Sequence, residues 1–179
     1  MNRDGHLPHD LIAAVRDVYE SAGMTVTDAR REAESAEYGA CRLGLDGANV
    51  AFRVAKTTPT KIGQFVTIWK RPMPGDEIAP FDSVDGVDFV VVSVADATHR
   101  GQFVFSQEAL IEHGVMSRSG EGGRRAMRVY PPWSKPEVKQ AIRTQQWQLR
   151  YFLPLAPGTG ADPVQVRRLF GIRKSLVSD

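Results

Sequence analysis

The sequence predicts a single α/β domain with a central mixed β-sheet flanked by helices. Three observations carry this. Asp46-Gly47 separates two apolar-rich stretches, YGACRLGL and ANVAFRVAK, which is a hairpin signal. VDFVVVSVAD, from Val87 to Asp96, is a nearly unbroken apolar run of the kind found in a central strand buried on both faces. Helical periodicity recurs towards both ends, through Leu11, Val15 and Val18 early and Val138, Ala141, Ile142, Gln145 and Leu149 late. With 179 residues, 42% of them hydrophobic and 25% charged, the chain fits one domain with a sizeable core.

Taken in order, a first helix starts at Pro8 and stops at Gly23, with Ile12 and Tyr19 widening its apolar stripe. Thr27 or Asp28 is placed to cap a second helix over DARREAESAEY, whose charges suit an exposed face. The hairpin follows, and QFVTIWKR supplies a third strand rich in β-branched and aromatic residues. Pro72, Pro74, Gly75 and Pro80 mark a long turn or loop before the buried strand. His99-Arg100-Gly101 reads as a turn into a short partner strand, GQFVF. Ser106 then caps a short helix that ends at Gly114. RSGEGGRR reads as a flexible loop and AMRVYPPW as a strand ending in a Pro-Pro turn. The last strong helix becomes extended near Tyr151. APGTGADP has the composition of a linker, and VQVRRLFGIRKSLVSD reads as a short basic helix or a loose tail. The domain is therefore expected over residues 1–155, with 156–179 a linker and basic tail.

The four acids among the first 25 residues and the missing apolar run argue against a signal peptide, and no stretch approaches a membrane span. Cys41 is the one cysteine, which excludes an intrachain disulfide and a Cys-based zinc site, and a reducing, cytoplasmic setting is expected. Cys41 reads as a small buried residue rather than a nucleophile, since no His is near it in sequence.

Net charge is only +2, so bulk charge does not select a partner, but its distribution is uneven. Eight of the 21 acids precede residue 38, and none lies between Asp46 and Asp76. In that gap FRVAKTTPTKIGQFVTIWKRP carries Arg53, Lys56, Lys61, Lys70 and Arg71 among Phe52, Phe65 and Trp69, with Gln64. From Gly122 to Ala161 one acid, Glu137, faces seven cations. Such asymmetry focuses a positive field on one face. Cations bind phosphates with release of counterions, and aromatic faces stack on bases. The competing reading is a solvated sheet face kept soluble by its Lys and Arg. Arg124, Arg128 and Tyr130 share a face in a strand, and Lys139 and Arg143 share a helix row that Gln146 and Arg150 continue. Trp133 and Trp147 adjoin these rows, and core packing competes as a role for Trp147.

Glu34 and Glu37 lie three apart, so on a helix they share a face. A two-metal site needs further carboxylates, and the strands that follow offer few. The four histidines, at 6, 9, 99 and 113, match no metal motif, and no metal site is expected. There is no G-x-S-x-G, no P-loop and no G-x-G-x-x-G after a strand.

The blocks EYGACRLGL, FRVAKTTPTKIGQFVTIWKRP, PFDSVDGVDFVVVSV, GQFVFSQEALIEHGV, RRAMRVYPPW and TQQWQLRYF resemble the MepB-like protein family, from about Glu34 to Leu153. The family takes its name from a gene carried beside a multidrug efflux pump and its repressor. The resemblance implies a fold and a partner class rather than a reaction. The element order also resembles the restriction-endonuclease-like core. That second resemblance implies a catalytic role for Lys56 and a metal-binding role for Glu37 or Glu34. Val54 occupies the place of the second metal-binding acid, and without that carboxylate Mg²⁺ loses an oxygen ligand.

The expected function is nucleic-acid binding, DNA or RNA, without catalysis and with a degenerate nuclease-like site. Lys56, Lys61, Arg124, Arg128, Lys139 and Arg143 would contact phosphates. Arg53 would contribute, and Gln64, Trp69, Tyr130, Trp133 and Trp147 would contact bases or shape the groove. No cofactor is expected. One alternative is a Mg²⁺-dependent nuclease using Glu37, Lys56 and an acid such as Asp88. The other is a binder of nucleotides or drugs linked to multidrug resistance. No membrane partner is expected, and a two-fold homodimer is the default among oligomers.

Overall fold

The computed structural model describes residues 6–172. Helix α1 (His9–Ala14) continues through a π turn (Val15–Tyr19) and a 3₁₀ turn, and ends at Gly23, whose φ of 77° suits a glycine stop. Strands β1 (Val26–Arg31), β2 (Cys41–Leu45) and β3 (Ala48–Val54) follow. Next come β4 (Lys56–Thr57), β5 (Gln64–Thr67), β6 (Trp69–Lys70) and β7 (Ala79–Pro80), then β8 (Phe89–Ala95) and β9 (Arg100–Ser106). Helix α2 (Gln107–Glu112), β10 (Ala126–Val129), α3 (Lys139–Gln148), β11 (Phe152–Pro154) and α4 (Pro163–Leu169) complete the chain. None of the described helices is long and apolar enough to cross a membrane.

The main sheet has the order β1-β2-β3-β8-β9-β11 and is mixed, since only β3 and β8 run parallel. The hairpin forms as expected, with Leu45 opposite Ala48 across Asp46-Gly47, both at positive φ. The apolar run becomes β8, flanked by β3 and β9, and alternation sends its side chains both ways. Val91 joins one core with Leu11, Tyr19, Phe52, Val104 and Val166. Val90, Val92 and Val94 join a second with Phe103, Phe105, Ile68, Phe81 and Met127. Helices α1 and α4 contribute to the first core, and β5 and β10 of the three-stranded sheet β10-β5-β4 to the second, packed beside α2 and α3.

Three expectations need correction. The second helix does not form: Val26–Arg31 is an edge strand paired with β2, bulged between Thr27 and Arg30, with Asp28 at φ 51°. Ala, Arg and Glu favour helix locally, but pairing with the free side of β2 wins, and the charges guard the edge. QFVTIWKR is not a main-sheet strand, because it splits at the buried Ile68 into β5 and β6, which belong to two smaller sheets. Of the two readings of the chain's end the short basic helix forms, as α4, and it packs on the first core, so the domain does not stop at 155. Asp162 caps α4 by accepting from the Val164 amide at 2.9 Å, and Val166 and Phe170 are buried, Phe170 edge-on to Tyr19 and Phe89. Residues 173–179 of the expected tail lie outside the described residues.

RSGEGGRR is anchored rather than free. The buried Asp82 carboxylate accepts from Ser117 Oγ at 2.6 Å, the Gly120 amide at 2.8 Å and the Val84 amide at 3.0 Å. These donors, Ser117 foremost, hold its carboxyl well below the usual range. A depressed carboxyl contributes stability above its unfolded pKa of about 3.9 and loses it as pH falls through the folded value. Asp82→Asn is therefore expected to lower the melting temperature at neutral pH, with the deficit shrinking below about pH 4. A deficit that stays constant from pH 7 to 3 in thermal scans would remove this role.

Candidate functional site

The connection between β3 and β8 builds the small sheet on which the candidate site stands. Register places Lys56 opposite Phe65, and Phe65 opposite Arg128, so the three side chains line up across β4, β5 and β10. The Arg128 guanidinium lies 5.8 Å from the Phe65 ring centre and donates to Thr58 Oγ1 at 2.8 Å. Lys56 Nζ lies 5.0 Å from the Tyr38 ring centre, and Tyr38 meets Phe65 edge-on. Phe65 is thus the centre of a cation–aromatic–cation row. It is half-exposed.

Beside this row opens a groove of about 790 Å³. Lys61, Arg124, Arg128, Tyr130 and Trp147, all named from the sequence, line it together with Phe65, His113 and Glu137. Gln140, Thr144 and Trp147 of α3 face the groove. Lys139 and Arg143 occupy the neighbouring exposed ridge of the helix, where 3.6 residues per turn puts them, and Arg150 is exposed on the 3₁₀ turn that follows. None of Lys56, Lys61, Arg124, Arg128, Lys139 and Arg143 has a carboxylate within 4.0 Å among the described residues. Other cations do: Lys70 meets Asp85 at 2.6 Å and Arg71 meets Glu34 at 3.0 Å.

Helix α3 is fastened by amides. Gln148 is fully buried, accepts from the Tyr130 amide at 2.9 Å and donates to the Arg128 carbonyl at 2.8 Å, so it completes the free side of β10. Gln145 donates to the carbonyls of Pro131 and Ser134 at 3.0 and 2.9 Å. Gln148→Leu leaves the Tyr130 amide and the Arg128 carbonyl without these partners, at about 1–3 kcal/mol each. Denaturant unfolding is expected to show a loss of at least 2 kcal/mol on that scale. A loss under about 0.5 kcal/mol would mean that water reaches the strand.

Other sequence-named residues lie elsewhere. Arg53 is fully buried and cannot touch a polymer. Alternation in β3 turns it to the face of Ala51 and Ala55, where Phe81 packs on it. Its Nη2 meets Glu32 Oε2 at 2.8 Å, Nη1 donates to the Phe52 carbonyl at 2.9 Å, and Nε donates to the Thr67 carbonyl at 3.2 Å. Burial, the main cause, lowers its pKa against the opposing pull of Glu32. Glu32, expected to be exposed on a helix, instead bridges Arg42 and Arg53. Gln64 is buried and spends its Nε2 on Thr57 Oγ1 and the Ala95 carbonyl, so it is structural. Trp69 carries the Arg71 guanidinium 5.7 Å from its ring centre.

Trp133 packs in the second core, with the His99 ring stacked on it at 5.0 Å. His113 stacks on Trp147 at 4.0 Å and 5°. Neither stack was foreseeable, because each His comes from a turn far in sequence from its Trp. His113, Glu137, Gln140 and Thr144 are groove residues that sequence reasoning did not place there.

The residues named for the nuclease alternative are placed as follows. Glu37 sits on a 3₁₀ turn rather than an α-helix, and Glu34 is paired with Arg71. Val54 packs against the first core. Asp88 accepts from the Asn49 amide at 2.7 Å, beside the start of β3, whereas Lys56 follows the end of that strand. Among the described residues, no group of three or more His, Cys, Asp or Glu is placed to hold a metal ion.

The MepB-like family model matches residues 32–154, more than half of the chain. The chain belongs to the MepB-like family. A solved structure titled "Crystal Structure of MepB" is similar to it, with 33% identity and a TM-score of 0.70 over 80% of this chain and 93% of that one. No curated protein matches. The matched MepB-like segment contains every strand of the main sheet except β1, together with the small sheet and α3. The candidate groove therefore lies wholly inside it.

Proposed function

We propose that this MepB-like domain binds nucleic acid through the groove between the small sheet and α3, without cutting it. The carrying observation is that the six cations named from sequence for phosphate contact have no carboxylate partner among the described residues and surround or adjoin one aromatic-lined groove. Phosphates would meet Lys56, Lys61, Arg124, Arg128, Lys139 and Arg143, and a base would meet the rings inside. The β1-β2-β3 meander with a parallel β8 beside it supports a restriction-endonuclease-like core, and the committed carboxylates support the loss of a cutting site. A cytoplasmic location goes with this reading.

The groove volume also suits a nucleotide-sized anion, so the test has two arms. Fluorescence anisotropy with labelled single- and double-stranded oligonucleotides, in EDTA over a salt series, should show binding that weakens steeply with salt. A protein that binds no oligonucleotide at low salt, but melts at a higher temperature with a mononucleotide, would replace the polymer by a small ligand.

A further inference from the structure

We infer that the groove is a seat for an unpaired base carrying an exocyclic amine, with Glu137 as the acceptor that reads it. This rests on the nucleic-acid reading above and goes further, naming the strandedness and the base chemistry.

The shape argues for an unpaired base. Base edges in a duplex lie at the bottom of its grooves, so a protein reads them with an element that protrudes. Here the aromatic residues line a concavity instead. Phe65 and Tyr130 lie on its small-sheet side, and the stacked His113–Trp147 pair belongs to the α2 and α3 side. A base reaches rings placed this way only when it has left the stack.

The charge argues for the amine. Glu137 is the one acid between Gly122 and Ala161, and it lines a groove whose other charged residues are Lys61, Arg124 and Arg128. It is exposed and has no cation within 4.0 Å among the described residues. A free carboxylate here opposes phosphate binding, so a groove selected for phosphate alone would lack it. A carboxylate accepts from the amine of cytosine and repels the carbonyl that uracil has in the same place. Gln140, in the first turn of α3, offers an amide that both donates and accepts. Glu137 also stands just before the first turn of α3, where an acid favours the helix dipole, and the test separates the two roles.

Anisotropy at low salt and mildly alkaline pH, with EDTA, compares labelled deoxycytidine and deoxyuridine homopolymers with a duplex of the same length. The two strands differ in the base edge and not in charge. The wild type is expected to bind deoxycytidine about tenfold tighter than deoxyuridine, and either strand tighter than the duplex. In Glu137→Gln and Glu137→Ala the preference should fall to about twofold or less, mainly because deoxyuridine binds better once the carboxylate is gone. Equal binding of both strands by the wild type, an unchanged ratio in the variants, or tighter binding of duplex would each overturn the base seat while leaving nucleic-acid binding intact. If no polymer binds, the underlying reading fails and the seat with it. Glu137 is exposed, and far-UV circular dichroism of both variants checks that α3 still forms.

Discussion

Glu32→Ala is expected to destabilise the fold by about 3–5 kcal/mol, because it strands a buried guanidinium. Arg53 has no exposed surface and its neighbours are Phe81, the second core and backbone carbonyls. Glu32 is the carboxylate that meets it, and the same carboxylate also holds Arg42. Removing it leaves a charge in an apolar site with two carbonyls for compensation. On the scale of a chain this size, that loss corresponds to about 10 °C in melting temperature. Arg53→Met combined with Glu32→Gln removes the charge and its partner together, and is expected to recover most of the loss. Urea unfolding of the three proteins decides it. A Glu32→Ala protein within about 1 kcal/mol of the wild type would mean that solvent enters and hydrates Arg53.

This pair also shows where sequence reading stopped. Arg53 counted towards a basic surface because Arg is usually exposed, and a central strand can bury both faces. Nothing local distinguishes Arg53 from Lys56, three residues on. The decision is made by β8 on one side, by Phe81 above, and by Glu32 arriving from a segment that favours helix by composition. The same long-range pairing turned that segment into β1.

Features set within a few residues were legible. Asp46-Gly47 gave the hairpin, Ser106 gave the start of α2, and the apolar run gave β8. Within the site, period-two spacing put Arg128 and Tyr130 on the groove, and period-3.6 spacing put Lys139 and Arg143 on one ridge. The aromatic contacts were not legible, since His113 and Trp147 are 34 positions apart and stack only once α3 has docked.

Replacing Lys61, Arg124 and Arg128 together by Ala is expected to cost about a hundredfold in affinity for single strands near 0.1 M salt. These three cations line the groove itself, and among the described residues their charge is not spent on carboxylates. Each phosphate neutralised contributes a slope of about −0.7 to a plot of log affinity against log salt for single strands. Losing three contacts flattens the plot by about 2, so the two proteins should converge towards 1 M salt and diverge below it. Arg128 also donates to Thr58 and the Ile62 carbonyl, and Arg128→Lys separates its charge from that local support. The control removes two charges away from the groove, Arg167→Ala with Arg168→Ala on α4, and should leave the slope within about 0.3 of the wild type. If the control flattens the plot as much as the triple variant, the polyanion follows the net charge of the chain, and the groove has no privileged part in holding it. If only the triple variant does so, the acid-free stretch and the basic block after Gly122 act as one surface, joined through Phe65 between Lys56 and Arg128.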